Sequence, residues 1–555
     1  MQLELLVRVV ATFALVGLSV TVPGFALLRL LKLRWDPLEK LAGSVALSLI
    51  LIYLWAFGAF LMELPRWTAY AVTLVILVAA AWSWPEARRM FAVRRVQTVI
   101  VPLALLALWV VALQAVIRNY GGGEWCCDWL EHYQRTMNFV DPKPGGFLYI
   151  GRYLLPARPP LMNAVAAHFL NQLGDDFALY QVVFSLLNML AFLPCCLVAR
   201  LFVPGGVRHR GVLAVLLGTN PMFYMNATFA WTKLLTAFFV ILAVWFLLVG
   251  ARRNSASRLV AAFASLAAAA MVHYSALPYA LFLSAAYLVV ILRRQRRPLA
   301  QAAIAGGAVL AVVGPWFLWS LQNYGLAGTL ATNTTVTESA KFAWHENLLK
   351  IGMNILDTIV PHWWTGVPAG APLRRLIDPP FMLFQNNLLF APGPVVSVLA
   401  AWGISRRLIS PRSPVRPEEK RFWSLFIPFA IVVGIAVHGE RDDSGVAHIT
   451  LQPLVYMAIA YVAANVWHYS LVWRIALWMG TVVNLAVGVF LHLYLEHSVE
   501  AWARTPNWDW KAGAKVTFLG DSMAGAAPLL ALLIGVGALL ALGWLWRVLT
   551  ERPAE

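Results

Sequence analysis

Two carboxylates one helical turn apart are the residues best suited to chemistry. Between Gly123 and Val140 the chain reads EWCCDWLEHYQRTMNFV, in which Glu124, Asp128, Glu131 and Arg135 follow at spacings of four, three and four. A helix over about Trp125 to Phe139, entered through Gly121, Gly122 and Gly123, puts all four on one face. A carboxylate within hydrogen-bond reach of a hydroxyl acts as a general base. Asp128 and Glu131 are therefore the candidates for that role, with Glu124 beside them as a substrate contact. The plainer reading makes Glu131 and Arg135 a surface ion pair and Asp128 a solvated residue. Trp125, Trp129 and Phe139 have the size and polarity of groups at a membrane–water boundary.

Further along, other polar residues interrupt apolar sequence. Arg158-Pro159-Pro160 with Asn163 opens what reads as a second surface helix through Leu173, since proline suits a first helical turn. Lys233 stands in NATFAWTKLLTAFF, His273-Tyr274-Ser275 between two short apolar runs, and His438 and Arg441 in HGERDDSGVAH, His438 to His448. The second long polar stretch contains PHWWTG, Pro361 to Gly366. Cations hold a phosphate as its charge grows, and Arg158, Lys233, Arg441 and the imidazoles of His273 and His438 are the candidates, with Asn163 and Tyr274 as further substrate contacts. Each also has a structural reading: a snorkelling Lys233, a packed His273, a plain turn at Arg441-Asp442, a tryptophan belt.

The elements that must position these groups are membrane helices. Of 555 residues, 61% are hydrophobic and 12% charged, and the mean hydropathy is +0.70. Soluble proteins carry about 25% charged residues. About 20 apolar residues make a span, and roughly fifteen stretches approach that: near 5–31, 41–62, 67–84, 98–117, 177–203, 211–225, 232–250, 259–273, 276–292, 299–321, 387–405, 422–438, 447–467, 473–495 and 524–547. The expectation is an all-α, polytopic transmembrane bundle of about 13–15 spans. Asn220-Pro221 and Gly314-Pro315 mark expected interruptions, which are tolerated where helix ends line a cavity. The first run exceeds the roughly 7–15 residues of a signal core and lacks an A-x-A site, so it reads as a span.

The net charge of +17 does not point to nucleic acid, because the arginines sit in short clusters between apolar runs. Clusters at 32–40, 88–95, 208–210, 252–258, 293–297, 406–421 and Arg547 all fall on one side of the fifteen-span count. The positive-inside rule makes that side cytoplasmic, with the N-terminus outside. Long stretches 118–176, 324–386 and 496–523 then face outward. No Walker motif accompanies them, which argues against an ATP-driven pump. Cysteines occur as adjacent pairs, Cys126-Cys127 and Cys195-Cys196, without CxxC or Cys/His zinc spacing. The expectation is no cofactor, with a divalent metal possible in principle but not indicated. The Pro-rich basic run 406–421 divides an N-terminal body, 1–405, from the last spans, 422–555.

A long first outer loop with an acid near its start, two surface helices, an Arg-Pro-Pro and then short spans resembles the GT-C superfamily of polyprenyl-phosphate-dependent glycosyltransferases. The resemblance is in particular to the protein-mannosyltransferase and aminoarabinose-transferase type, over roughly 98–325. That resemblance implies transfer of a sugar from a polyprenyl-phosphate donor to a glycan, lipid or protein acceptor on the periplasmic face of a bacterial inner membrane. It implies a first-loop carboxylate as base, at the position of Asp128. Two features depart from the family: four spans precede the loop instead of one, and the acids are spaced Asp-x-x-Glu instead of adjacent. Asp128 and Glu131 both remain candidates.

The competing readings are a lipid-linked saccharide transporter or flippase, a ligase or polymerase of lipid-linked glycans, and a non-catalytic scaffold. A transporter would carry charges near the midplane of broken helices. A ligase would favour arginine and histidine in a large loop over a first-loop carboxylate.

Overall fold

The computed structural model describes residues 2–120, 128–203, 209–362, 380, 382–410, 415–442, 445–490 and 516–551. Helix dominates them. The extended pairing among the described residues is a single antiparallel bridge, Tyr149 with Tyr153. Every one of the fifteen apolar stretches carries helix. Among the described residues, ten helices are long and apolar enough to cross a membrane, by length and composition. The other five stretches are shorter or more charged. Among them, Ala256–Val272 has 17 residues, Gln452–Asn465 has 14, and Pro417–Ala436 opens on Glu418, Glu419, Lys420 and Arg421.

Proline and glycine divide the chain unevenly. The run around Asn220-Pro221 breaks into His209–Gly218 and Pro221–Thr228. Asn220 caps the second piece by accepting from the Phe223 amide at 2.9 Å. Gly314-Pro315 does not break its helix, which runs from Pro298 to Leu330 and kinks at Gly325, φ +67°. Gly24 is needed for a close approach: a Cβ there would lie 2.0 Å from the Ser44 carbonyl oxygen of the helix Pro37–Leu61.

The centre of the bundle is the helix Lys233–Arg253, buried at every position from Lys233 to Gly250. It is apolar all round, as a helix enclosed by others must be. Helices Ala256–Val272 and Gln452–Asn465 pack on it, and one hydrophobic core runs from Leu5 to Leu549, across both sides of 406–421.

The two ends of the bundle differ. At the basic end, Arg258 donates to Glu39 at 2.6 Å, Arg200 to Asp36 at 2.9 Å, and Arg252 to Glu419 through two bonds of 2.6 Å. At the opposite end lie Asp128–Val140, Leu161–Leu173, the start of Lys233–Arg253, and the segments around His273 and His438. We call this the site end.

Candidate active site

The first-loop helix begins at Asp128 and runs to Val140. Glu124 and Trp125 lie outside the described residues, as do Trp363 to Gly366. The helix does not float at a boundary. Trp129 is buried against Phe177 at 5.0 Å and Phe518 at 5.5 Å, and Phe139 meets Phe60 at 5.1 Å. Their expected boundary placement is therefore corrected: the helix lies down on the bundle, so its aromatic side becomes core.

Glu131 and Arg135 are not a surface pair either. Their side chains are 0% and 1% exposed and 2.7 Å apart. Arg135 also donates to the carbonyls of Leu155 at 2.5 Å and Leu154 at 3.0 Å, and its guanidinium stacks 4.7 Å over the Tyr149 ring. This ties the first-loop helix to the segment that leads into Arg158. Thr136 donates to Asn163 at 3.3 Å, joining the helix Leu161–Leu173, whose N-cap is Pro160. Asn163 is buried and faces the first-loop helix.

Asp128 is different. Its side chain is 33% exposed, and each oxygen accepts one bond. Oδ1 accepts from Arg158 Nη2 at 3.1 Å, and Oδ2 accepts from the indole Nε1 of Trp231 at 3.0 Å. The same Arg158 nitrogen reaches Glu131 Oε2 at 3.3 Å. One guanidinium thus spans both acids, and its buried Nε has no partner among the described residues.

Electrostatics separate the two acids. Burial raises the Glu131 carboxyl, but the charges of Arg158 and Arg135 outweigh it and hold the group at about 2. Glu131 is thus ionised, enclosed and fully occupied by arginines. Burial lowers the Arg158 guanidinium, and Glu131 and Asp128 more than restore it, so it keeps its charge.

Lys233 sits 3.6 Å over the Trp231 ring. His448 stacks on the other part of this group, 5.6 Å from Trp231 with the rings 22° apart. His273 accepts the Ser275 amide on Nδ1 at 3.1 Å, so its proton is on Nε2. Burial lowers the His273 imidazole well below its usual range, and the charges of Arg158 and Lys233 lower it further. Burial and Lys233 likewise lower His438, to about 4. Both imidazoles are therefore neutral at neutral pH. They can donate hydrogen bonds to a phosphate but bring no charge, a correction to their grouping with the cations.

Tyr274 donates to the Pro156 carbonyl at 3.3 Å, and Arg441 is exposed. The structure thus groups Asp128, Glu131, Lys233 and His273 around the charge of Arg158, with His438 within reach of Lys233, and uses Asn163 and Tyr274 to hold backbone and helices. Among the described residues no three His, Cys, Asp or Glu side chains converge as a metal ion would need. Three members escaped the sequence reading. Trp231, two residues before Lys233, went to a general tryptophan belt; His448 stood at the end of a quoted run; His132, directly after Glu131 and within reach of the charges of Glu131, Arg158 and Asp128, carried no pattern of its own.

No protein-family model matches the chain, and no curated protein does. Among solved structures the chain is similar to ArnT from Cupriavidus metallidurans bound to undecaprenyl phosphate. Identity is 17%, over 83% of this chain and 78% of that one, with a TM-score of 0.41. The apo ArnT structure is similar at 16% identity over 72% and 77%, with a TM-score of 0.36. Likeness at this level transfers no residue role and no activity.

Proposed function

We propose that this chain is a GT-C-like integral membrane glycosyltransferase that moves a sugar from a polyprenyl-phosphate donor to an acceptor hydroxyl. The observation that carries the reading is the placement of Asp128. It is the accessible acid of the pair, oriented on one oxygen by Arg158 and on the other by Trp231, with Lys233 beside it.

In the proposed step the acceptor oxygen forms a bond to the anomeric carbon. The bond from that carbon to the donor phosphate breaks, and its electron pair leaves with the phosphate. The acceptor proton goes to Asp128. Arg158 and Lys233 balance the charge that builds on the phosphate, and neutral His273 and His438 supply donors. The phosphate is a good leaving group, so a single base suffices. Direct displacement inverts the anomeric centre. Glu131 holds Arg158 and Arg135 in place instead of taking a proton, because its carboxylate is enclosed and kept ionised.

The arginine distribution supports a site end on the non-cytoplasmic side with the C-terminus cytoplasmic, and the GT-C resemblance makes that side the periplasmic face of a bacterial inner membrane. The reaction requires no cofactor in this reading.

The test is turnover of a polyprenyl-phosphate sugar by purified protein. Undecaprenyl-phosphate aminoarabinose is the first donor to try, since undecaprenyl phosphate is the lipid bound to the similar ArnT structure. Sugar transfer that is lost in Asp128→Asn supports the reading. Movement of the intact lipid-linked sugar across a vesicle, with no transfer, would replace it with a flippase.

A further inference from the structure

The helix Trp344–Ile359 is built inside out. Lys350, Asn354, Asp357 and Thr358 are buried, whereas Trp344, Leu348, Leu349, Leu356 and Ile359 are exposed, Trp344 by 76%. The exposed residues recur at helical spacing and form one stripe. A water-soluble surface helix has the opposite arrangement.

The inward polar face has a defined task. Lys350 Nζ donates to the carbonyls of His438 at 3.0 Å and Gly439 at 3.2 Å. Asn354 donates to the Glu440 carbonyl at 2.9 Å and accepts from the Asp442 amide at 2.9 Å. Thr358 Oγ1 accepts from the Val446 amide at 3.0 Å. Contact is so close at Gly445, φ +92°, that a Cβ would lie 2.7–2.9 Å from Asn386 O, Thr358 Cα and Asp357 O. These bonds fix the rotation of the helix, so its apolar stripe cannot turn inward.

What covers the stripe follows from its surroundings. Ile359, its last member, also lines an apolar cavity of about 390 Å³ with Leu388, Leu389 and Leu454. That cavity lies between the helices Pro394–Ile409, Pro417–Ala436 and Gln452–Asn465, the first two of which show Val398, Trp402, Leu425 and Val432 outward, as a lipid-facing flank does. At the other end the stripe starts at Trp344, beside exposed His345 and Glu346. An apolar stripe joined to the flank at one end, and a tryptophan next to charge at the other, is the pattern of a helix lying in a membrane interface.

We propose that Trp344–Ile359 is an interfacial anchor whose stripe docks on the lipid surface at the site end while its polar face holds the segment bearing His438 and Asp442 over the site. The occupant is the bilayer itself. This holds whatever reaction the site performs.

The test uses full-length protein in nanodiscs of phosphatidylethanolamine and phosphatidylglycerol, in a background lacking the four native cysteines. Spin labels go singly at positions 348, 349, 356 and, as a water-facing reference, 346. Labels at 348, 349 and 356 are expected to collide with oxygen in preference to an aqueous nickel chelate, and the label at 346 to show the reverse. Chelate access at 348, 349 and 356 overturns the proposal, and so does spin–spin broadening that reports a second copy on the stripe. Hydrogen exchange tests the coupling. Leu348→Glu with Leu349→Glu is expected to speed exchange at Val446 by about tenfold or more, since the clamp opens locally. Unchanged exchange there, with the variant's labels displaced into water, would refute the hold on the segment.

Discussion

Trp231 donates its indole N–H to Asp128 Oδ2 at 3.0 Å across 103 positions of sequence. The bond turns a first-loop carboxylate toward the N-terminal end of the central helix. It also puts the face of Trp231 under Lys233, so one side chain orients an acid and a cation together.

Asp128→Asn is expected to lower turnover by about 10²–10⁴-fold, the usual worth of general-base assistance, with donor binding and folding retained. Asn keeps the shape and one acceptor oxygen but takes no proton at neutral pH. Turnover normalised to folded protein decides it. Full activity would remove this carboxylate from the chemistry.

Glu131→Gln should fail differently. It leaves Arg135 and Arg158 without a fully buried counter-charge, a change that typically costs about 3–5 kcal/mol of stability. The expected result is a lowered unfolding midpoint in detergent, with a rate per folded molecule closer to wild type than that of Asp128→Asn. A stable but inactive Glu131→Gln would move the base one turn along the helix.

Trp231→Phe keeps an aromatic ring beneath Lys233 and beside His448 but removes the donor to Asp128. A hydrogen bond to a charged group is worth about 1.5–3 kcal/mol, so a rate loss on the order of tenfold or more is expected. Trp231→Ala should lose more, since the support for Lys233 goes as well. Equal rates in wild type and Trp231→Phe would mean that the indole bond does not orient the acid.

Arg158→Ala and Lys233→Ala should weaken binding of a polyprenyl phosphate by about 1.5–3 kcal/mol each, as loss of a charge-assisted bond does. Titration calorimetry in detergent measures this. Unchanged affinity in both would put the phosphate elsewhere.

Acid should destabilise the site end. Burial, and to a lesser degree Arg158 and Arg135, lower His132 from 6.5 to about 4, against the pull of Glu131 and Asp128. From pH 6.5 down to about 4 the unfolded chain therefore binds a proton that the folded one refuses, and stability falls. Glu131, at about 2 when folded and 4.5 ordinarily, extends the loss from about pH 4.5 to 2. Unfolding midpoints between pH 7 and 4.5 should fall with a shallower slope in His132→Gln. An unchanged slope would assign the titration to other groups.

Composition alone determined that this is a helical membrane protein. Membrane spans need long apolar runs, and such runs are visible without any tertiary contact, which is why all fifteen stretches carry helix. Spacing placed Asp128, Glu131 and Arg135 on one face of one helix, because that depends only on helical pitch. It could not decide which face was buried. Burial depends on what the helix lies against, and here Phe177, Phe518 and Phe60 come from distant parts of the chain to cover Trp129 and Phe139. The same packing encloses Glu131 and leaves Asp128 open, so the difference between two acids three residues apart is a tertiary one. Trp231, His448 and the inward polar face of Trp344–Ile359 were unreadable for the same reason. An indole can serve a membrane boundary or orient a carboxylate, and only the neighbour brought within 3.0 Å decides between the two.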